Sequence, residues 1–132
     1  FPKSFILFLV ANVSGGSFRM QTYAAGSTPD STSFNVVVAN ISGVGRIKYI
    51  KFLKWLTPAA NISWAFNLDG VTSTLSMDEM YTRWGSIAGD WGLTELDISF
   101  TTTCVITVTG TGMHLYPADR YFYAYTLAFL KN

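Results

Sequence analysis

Tyr121-Phe122-Tyr123-Ala124-Tyr125-Thr126-Leu127-Ala128-Phe129-Leu130 runs through ten residues without a charge, a glycine or a proline. Read with period 2, Tyr121, Tyr123, Tyr125, Leu127 and Phe129 share one face. Phe122, Ala124, Thr126, Ala128 and Leu130 share the other. Both rows are apolar, which predicts a strand covered on its two sides. In a small all-β chain, one side would meet a second sheet and the other a neighbouring subunit. That is the pattern of a building block.

Upstream, further strand patterns alternate with turn clusters. Asn61–Leu68 alternates most cleanly, with Ile62, Trp64, Phe66 and Leu68 on one face. Asp69-Gly70 follows and predicts a two-residue hairpin turn, because a type I′ turn needs positive φ at both positions. Val71–Leu75 returns along that hairpin. Ser76-Met77-Asp78-Glu79 reads as a capping box, opening a single short helix over 77–84 that stops at Gly85. Leu93–Phe100 alternates again, with Leu96, Ile98 and Phe100 inward and Glu95, Asp97 and Ser99 outward. Thr103–Thr109, Ser33–Ala39, Ser17–Ala24 and Ser4–Val10 complete the set.

Arg46–Leu56 is ambiguous. Lys48, Lys51 and Lys54 recur every three residues, as on a helix face, while Ile47 and Tyr49 alternate with Arg46 and Lys48. A strand with a bulge near Ile50-Lys51 reconciles the two, since a bulge shifts the alternation by one residue. Its lysines would also blunt an edge strand against unwanted pairing. The whole pattern predicts one domain over residues 1–132, an all-β antiparallel sandwich of jelly-roll type with eight or nine strands. No period of 20–50 residues recurs, which argues against a solenoid.

The 132 residues suit one domain, which at this size can bury roughly 65–70% of its unfolded surface without a disulfide or metal staple. Charged residues make up only 13%, against 49% hydrophobic and 16% aromatic; soluble domains carry about 25% charge. The deficit predicts association with further copies or with a partner. A net charge of +1 gives no electrostatic case for nucleic acid or an anionic membrane. Phe5–Ala11 is far short of the ~20 apolar residues of a membrane span. The chain starts at Phe1-Pro2 and not at Met, so a processed or trimmed N-terminus is expected. The lone Cys104 lies in a strand pattern that predicts a buried, inert thiol.

Chemistry-bearing residues are sparse. His114 is the only histidine, and it sits in a loop with no nucleophile-elbow pattern nearby. Asp90, Glu95 and Asp97 are close in sequence, but a solvated face explains them more simply than a calcium site. No pair of carboxylates stands out as glycosidase machinery. Gly43-Val44-Gly45 and Gly110-Thr111-Gly112 lack phosphate-loop spacing. No catalytic residue, metal or cofactor is therefore expected. Trp64 reads as core, whereas Trp55, Trp84 and Trp91 could pack loops, anchor a subunit contact or stack on a sugar. Asn12, Asn40 and Asn61 each open an N-x-Ser sequon, which suits an extracellular setting.

The segments Ile41–Phe52, Ile62–Val71 and Leu96–Gly110 resemble structural β-sandwich domains of tailed-phage and related virions. There a Gly-x-Gly turn opens a strand, another strand ends in Asp-Gly, and a late strand pair closes the sheet. The resemblance implies a capsid, decoration, tail or fibre subunit, located in the virion and partnered by its own copies and other virion proteins. The resemblance carries over no functional residue; the apolar strand faces themselves offer Phe5, Leu7, Tyr121, Tyr123, Tyr125 and Phe129 as candidate contact residues. The alternatives are an extracellular filament or pilus subunit, with Phe1–Val10 donated to a neighbour's sheet, and a carbohydrate-binding module using loop tryptophans.

Overall fold

The computed structural model describes residues 18–27, 33–53, 62–85, 94–111 and 122–131. They form eight strands and one helix: β1 (Phe18–Ser27), β2 (Phe34–Ser42), β3 (Gly45–Leu53), β4 (Ile62–Leu68), β5 (Val71–Ser76), α1 (Met77–Trp84), β6 (Thr94–Phe100), β7 (Thr103–Gly110) and β8 (Phe122–Lys131). Sheet A has the order β1-β8-β3-β6, and sheet B the order β2-β7-β4-β5.

The pairing explains the architecture. β4 pairs with β5, β3 with β6, β2 with β7 and β1 with β8, all antiparallel. The chain is thus one long hairpin whose two halves match strand for strand outward from Asp69-Gly70. Rolling that hairpin puts alternate pairs into opposite sheets and brings β3 against β8 and β4 against β7. This is an eight-stranded jelly roll, as the spacing of strand and turn signals predicts.

The turn at the tip forms because Asp69 and Gly70 take φ of 54° and 88°. Asparagine, aspartate and glycine tolerate that left-handed region best. From there β4 alternates as its sequence dictates: Ile62, Trp64 and Phe66 are buried, with partly exposed residues between them. Across the sandwich, Phe52 of β3 meets Trp64 edge-on, with ring centroids 6.2 Å apart. Ile47, Ile50, Ile106, Val108, Leu96 and Phe100 belong to the same core. Each such side chain contributes about 1.5–3 kcal/mol through burial.

α1 follows from its caps. The Ser76 hydroxyl accepts from the Glu79 amide at 3.1 Å, and the Glu79 carboxylate accepts from the Ser76 amide at 3.2 Å. Asp78 and Glu79 lie in the first turn and Arg83 in the last, each favourable to the helix dipole. Gly85, at φ 82°, ends the helix by donating its amide to the Tyr81 carbonyl. Met77 and Met80 are fully buried and join the core of the sandwich.

Two expectations need correction. The bulge in β3 falls between Ile47 and Tyr49, at Lys48, and not near Ile50-Lys51. It puts Ile47 and Ile50 both inside, while Tyr49 pairs outward with Leu127. β3 is also no edge strand: it lies between β8 and β6, so its lysines protect no edge. A second bulge occurs in β2 between Val37 and Ala39, where the extra residue Val38 is buried. The Ser4–Val10 strand lies outside the described residues.

Candidate functional site: two outward faces and a carboxylate latch

β8 is the central strand whose sequence promises most, and its register assigns its faces. Ala124, Thr126 and Ala128 oppose Phe52, Ile50 and Ile47 of β3, so that row looks into the sandwich. Tyr123, Tyr125, Leu127 and Phe129 look outward. Tyr123 is 47% exposed and its ring lies 6.3 Å from that of Tyr125, which is half-buried. Leu127 and Phe129 are enclosed within the chain, Phe129 to 1%. Of the contact residues picked from sequence, Tyr123 and Tyr125 present surface and Phe129 does not. Phe5, Leu7 and Tyr121 lie outside the described residues. Exposed Met20 pairs with Phe129 from β1, a neighbour that the strand's own sequence could not name.

Charge on the outward side of sheet A gathers on β3 and β6, whereas the exposed row of β1, Met20, Thr22, Ala24 and Gly26, carries none. Arg46 on β3 reaches Asp97 on β6 at 3.3 Å, and Lys48 reaches the same carboxylate oxygen at 3.9 Å. Glu95 is exposed beside them, whereas Lys51, opposite Tyr125, is buried. Asp97 is therefore engaged by cations. Among the described residues no group of three or more His, Cys, Asp or Glu could hold a metal ion.

Sheet B differs in kind. Its four strands contain no Asp, Glu, Lys or Arg. Its outward side is laid out in rows set by the register. Val37, Thr107, Ala65 and Thr74 form one row, and Asn40, Val105, Asn67 and Thr72 the next. Within the second row, the Asn67 carboxamide donates to the Thr72 hydroxyl at 3.0 Å. Val37 is 53% exposed.

One end of the sandwich is held by a carboxylate. Asp69, at the β4–β5 tip, accepts from three consecutive backbone amides of the β6–β7 turn: Thr101 at 2.9 Å, Thr102 at 2.7 Å and Thr103 at 3.1 Å. The Thr101 and Thr102 hydroxyls donate to it as well, at 3.1 and 2.9 Å. The Asp69 amide returns a bond to the Thr103 carbonyl at 2.9 Å. The β2–β3 turn joins the same point, with the Gly43 amide donating to the Thr102 carbonyl at 2.7 Å. Three turns thus converge. The backbone donors of Thr102 and Thr103, ahead of the hydroxyls, hold the Asp69 carboxyl well below the usual carboxylate range. Sequence reading finds the Asp-Gly turn but not this role, since the donors lie 32 to 34 residues away.

The remaining candidates resolve individually. Trp64 is core. Trp84 is partly buried against the core, and the Arg83 guanidinium sits 5.3 Å from its ring centroid, so one ring face is already taken. Asn40 and Ser42 are both exposed on β2, an edge strand of sheet B. Cys104 is buried, and burial, ahead of the nearby Asp69 charge, pushes its thiol up to about 12. It therefore stays protonated and unreactive at neutral pH. Trp55, Trp91, Asn12, Asn61, Asp90 and His114 lie outside the described residues. No described helix is long and apolar enough to cross a membrane.

No protein-family model matches the chain, and no curated protein matches it with significant similarity.

Proposed function

We propose that this chain is a non-enzymatic structural subunit of a virion, in its capsid, decoration, tail or fibre, that assembles with copies of itself. The observation that carries the reading is the outward tyrosine pair, exposed Tyr123 and half-buried Tyr125, on an inner strand of a jelly roll. Jelly rolls build virus shells, although lectins and cupins share them, so the fold supports the reading only by analogy. The outward tyrosines add a site-level argument. Aromatic rings with a polar tip are favoured at protein interfaces, where they bury much area at little entropic cost. The 13% charge content points the same way, towards surface that partners cover.

The test is Tyr123→Glu. A charge placed in the contact should remove assembled species from a light-scattering profile while the thermal melt of the subunit stays unchanged, because the side chain is 47% exposed. Assembly equal to that of the unsubstituted chain would count against this surface as the contact.

A further inference from the structure

We infer that the charge-free outward face of sheet B is a second self-contact, in which two copies meet face to face about a two-fold axis. The inference rests on the shell-subunit reading, because a subunit that tiles needs more than one contact.

The face suits a copy of itself for a chemical reason. Its polar groups are hydroxyls and carboxamides, and each of these both donates and accepts hydrogen bonds. A two-fold rotation brings such a group against its own kind, and the pair can still bond. An ammonium only donates and a carboxylate only accepts, so a charged face cannot pair with itself in this way. No charged residue occurs in the four strands of sheet B. The nearest acid at the hairpin tip, Asp69, is occupied by Thr101, Thr102 and Thr103. The strands themselves offer no cation to nucleic acid, an anionic surface or an acidic peptide.

The face is partly apolar. Val37, 53% exposed, lies in register with Thr107 and Ala65, and Val105 is in the adjoining row. Short side chains protrude little, so two faces can approach at the ~10 Å spacing of stacked sheets.

Size sets the strength. Four strands ~4.8 Å apart and about seven residues long cover roughly 20 by 20 Å, on the order of 400 Å². A stable pairwise interface needs about 800 Å² on each side. The contact is therefore weak alone and adds its share where a subunit is already held by others.

The experiment uses charge exchange at Thr107 on the intact chain. Thr107→Asp and Thr107→Lys are each measured by sedimentation over a rising concentration series, then mixed in equal amounts, with electron microscopy of each sample. Like charges meeting across the axis should weaken association about tenfold or more in each variant alone, and the mixture should recover it. Should either variant fail to fold, Val37→Asp and Val37→Lys replace the pair at the exposed strand edge. A single variant that associates as the unsubstituted chain does, or a mixture as weak as its components, overturns the inference. Particles indifferent to both pairs keep the shell reading and remove this contact. A two-subunit species that obeys the charge exchange without larger particles keeps the contact and removes the shell reading. An unsubstituted chain that stays monomeric throughout removes both.

Discussion

On its outward side, sheet A sets Arg46 and Lys48 against Asp97 at 3.3 and 3.9 Å, whereas the strands of sheet B carry no charged residue at all. Both sheets have four antiparallel strands, and both bury large side chains inward, Phe52 from one and Trp64 from the other. The fold therefore needs the same thing from each: an inward row that packs. The outward rows are left to serve other ends. Sheet A arranges charges that pair within the chain and turns Tyr123 and Tyr125 outward. Sheet B displays hydroxyls and carboxamides, which both donate and accept hydrogen bonds. The chemistry of the outward surface thus differs from one sheet to the other.

The largest expected effect tests what the sheets share. Trp64→Ala should cost about 3–5 kcal/mol in urea unfolding, since a fully buried ring leaves a cavity between the sheets. A double-mutant cycle with Phe52→Ala should return a coupling of about 0.5–1.5 kcal/mol for the edge-on pair. Additive costs would mean that the two inward rows stabilise independently.

Next comes a glycine of sheet A. A Cβ at Gly45 would lie 2.6 Å from Phe100, 2.7 Å from Leu130 and 2.9 Å from the Phe129 carbonyl. Gly45→Ala should therefore destabilise by about 1–3 kcal/mol through overpacking. A neutral result would show that β3, β6 and β8 can spread at that end.

The latch ties the sheet B hairpin to the turn that leaves sheet A, and it should respond to acid. The folded-state pKa of Asp69 lies below its unfolded value of about 3.9. Its contribution is therefore complete above that unfolded value and is lost as pH falls towards the depressed folded one. Asp69→Asn should lower the neutral-pH melting temperature and flatten the acid side of the stability profile. Parallel acid limbs for the two proteins would rule the latch out as a source of stability.

The smallest effect belongs to the surface ion pairs. Arg46→Ala should change stability by no more than about 1 kcal/mol, and less as salt rises, because both partners are about half exposed. A larger, salt-independent loss would mean that the Arg46 stem matters through packing.

Much of this fold was legible because its signals are local. Ser76 and Glu79 announce the helix start, Asp69-Gly70 the hairpin, and Ile62, Trp64 and Phe66 the inward row of β4. The bulges were harder. A bulged residue is defined by the partner it lacks, and Lys48 carries no mark of that; in Val36-Val37-Val38 no alternation exists to be interrupted. Strand order was equally hidden, so Lys48 and Lys51 looked like edge residues although β8 and β6 flank them. The neutral face was spelled out in Asn, Thr and Ser, yet only the register joins Val37, Thr107 and Ala65 into one row. The latch depends on chain ends of two hairpins meeting, which no local pattern encodes.

The central claim is that this subunit exists to assemble. Mass by light scattering over a concentration series, followed by electron microscopy of the same sample, addresses it most directly. Closed oligomers or shell fragments that grow with concentration are the predicted result. A clean monomer at every concentration would contradict the account.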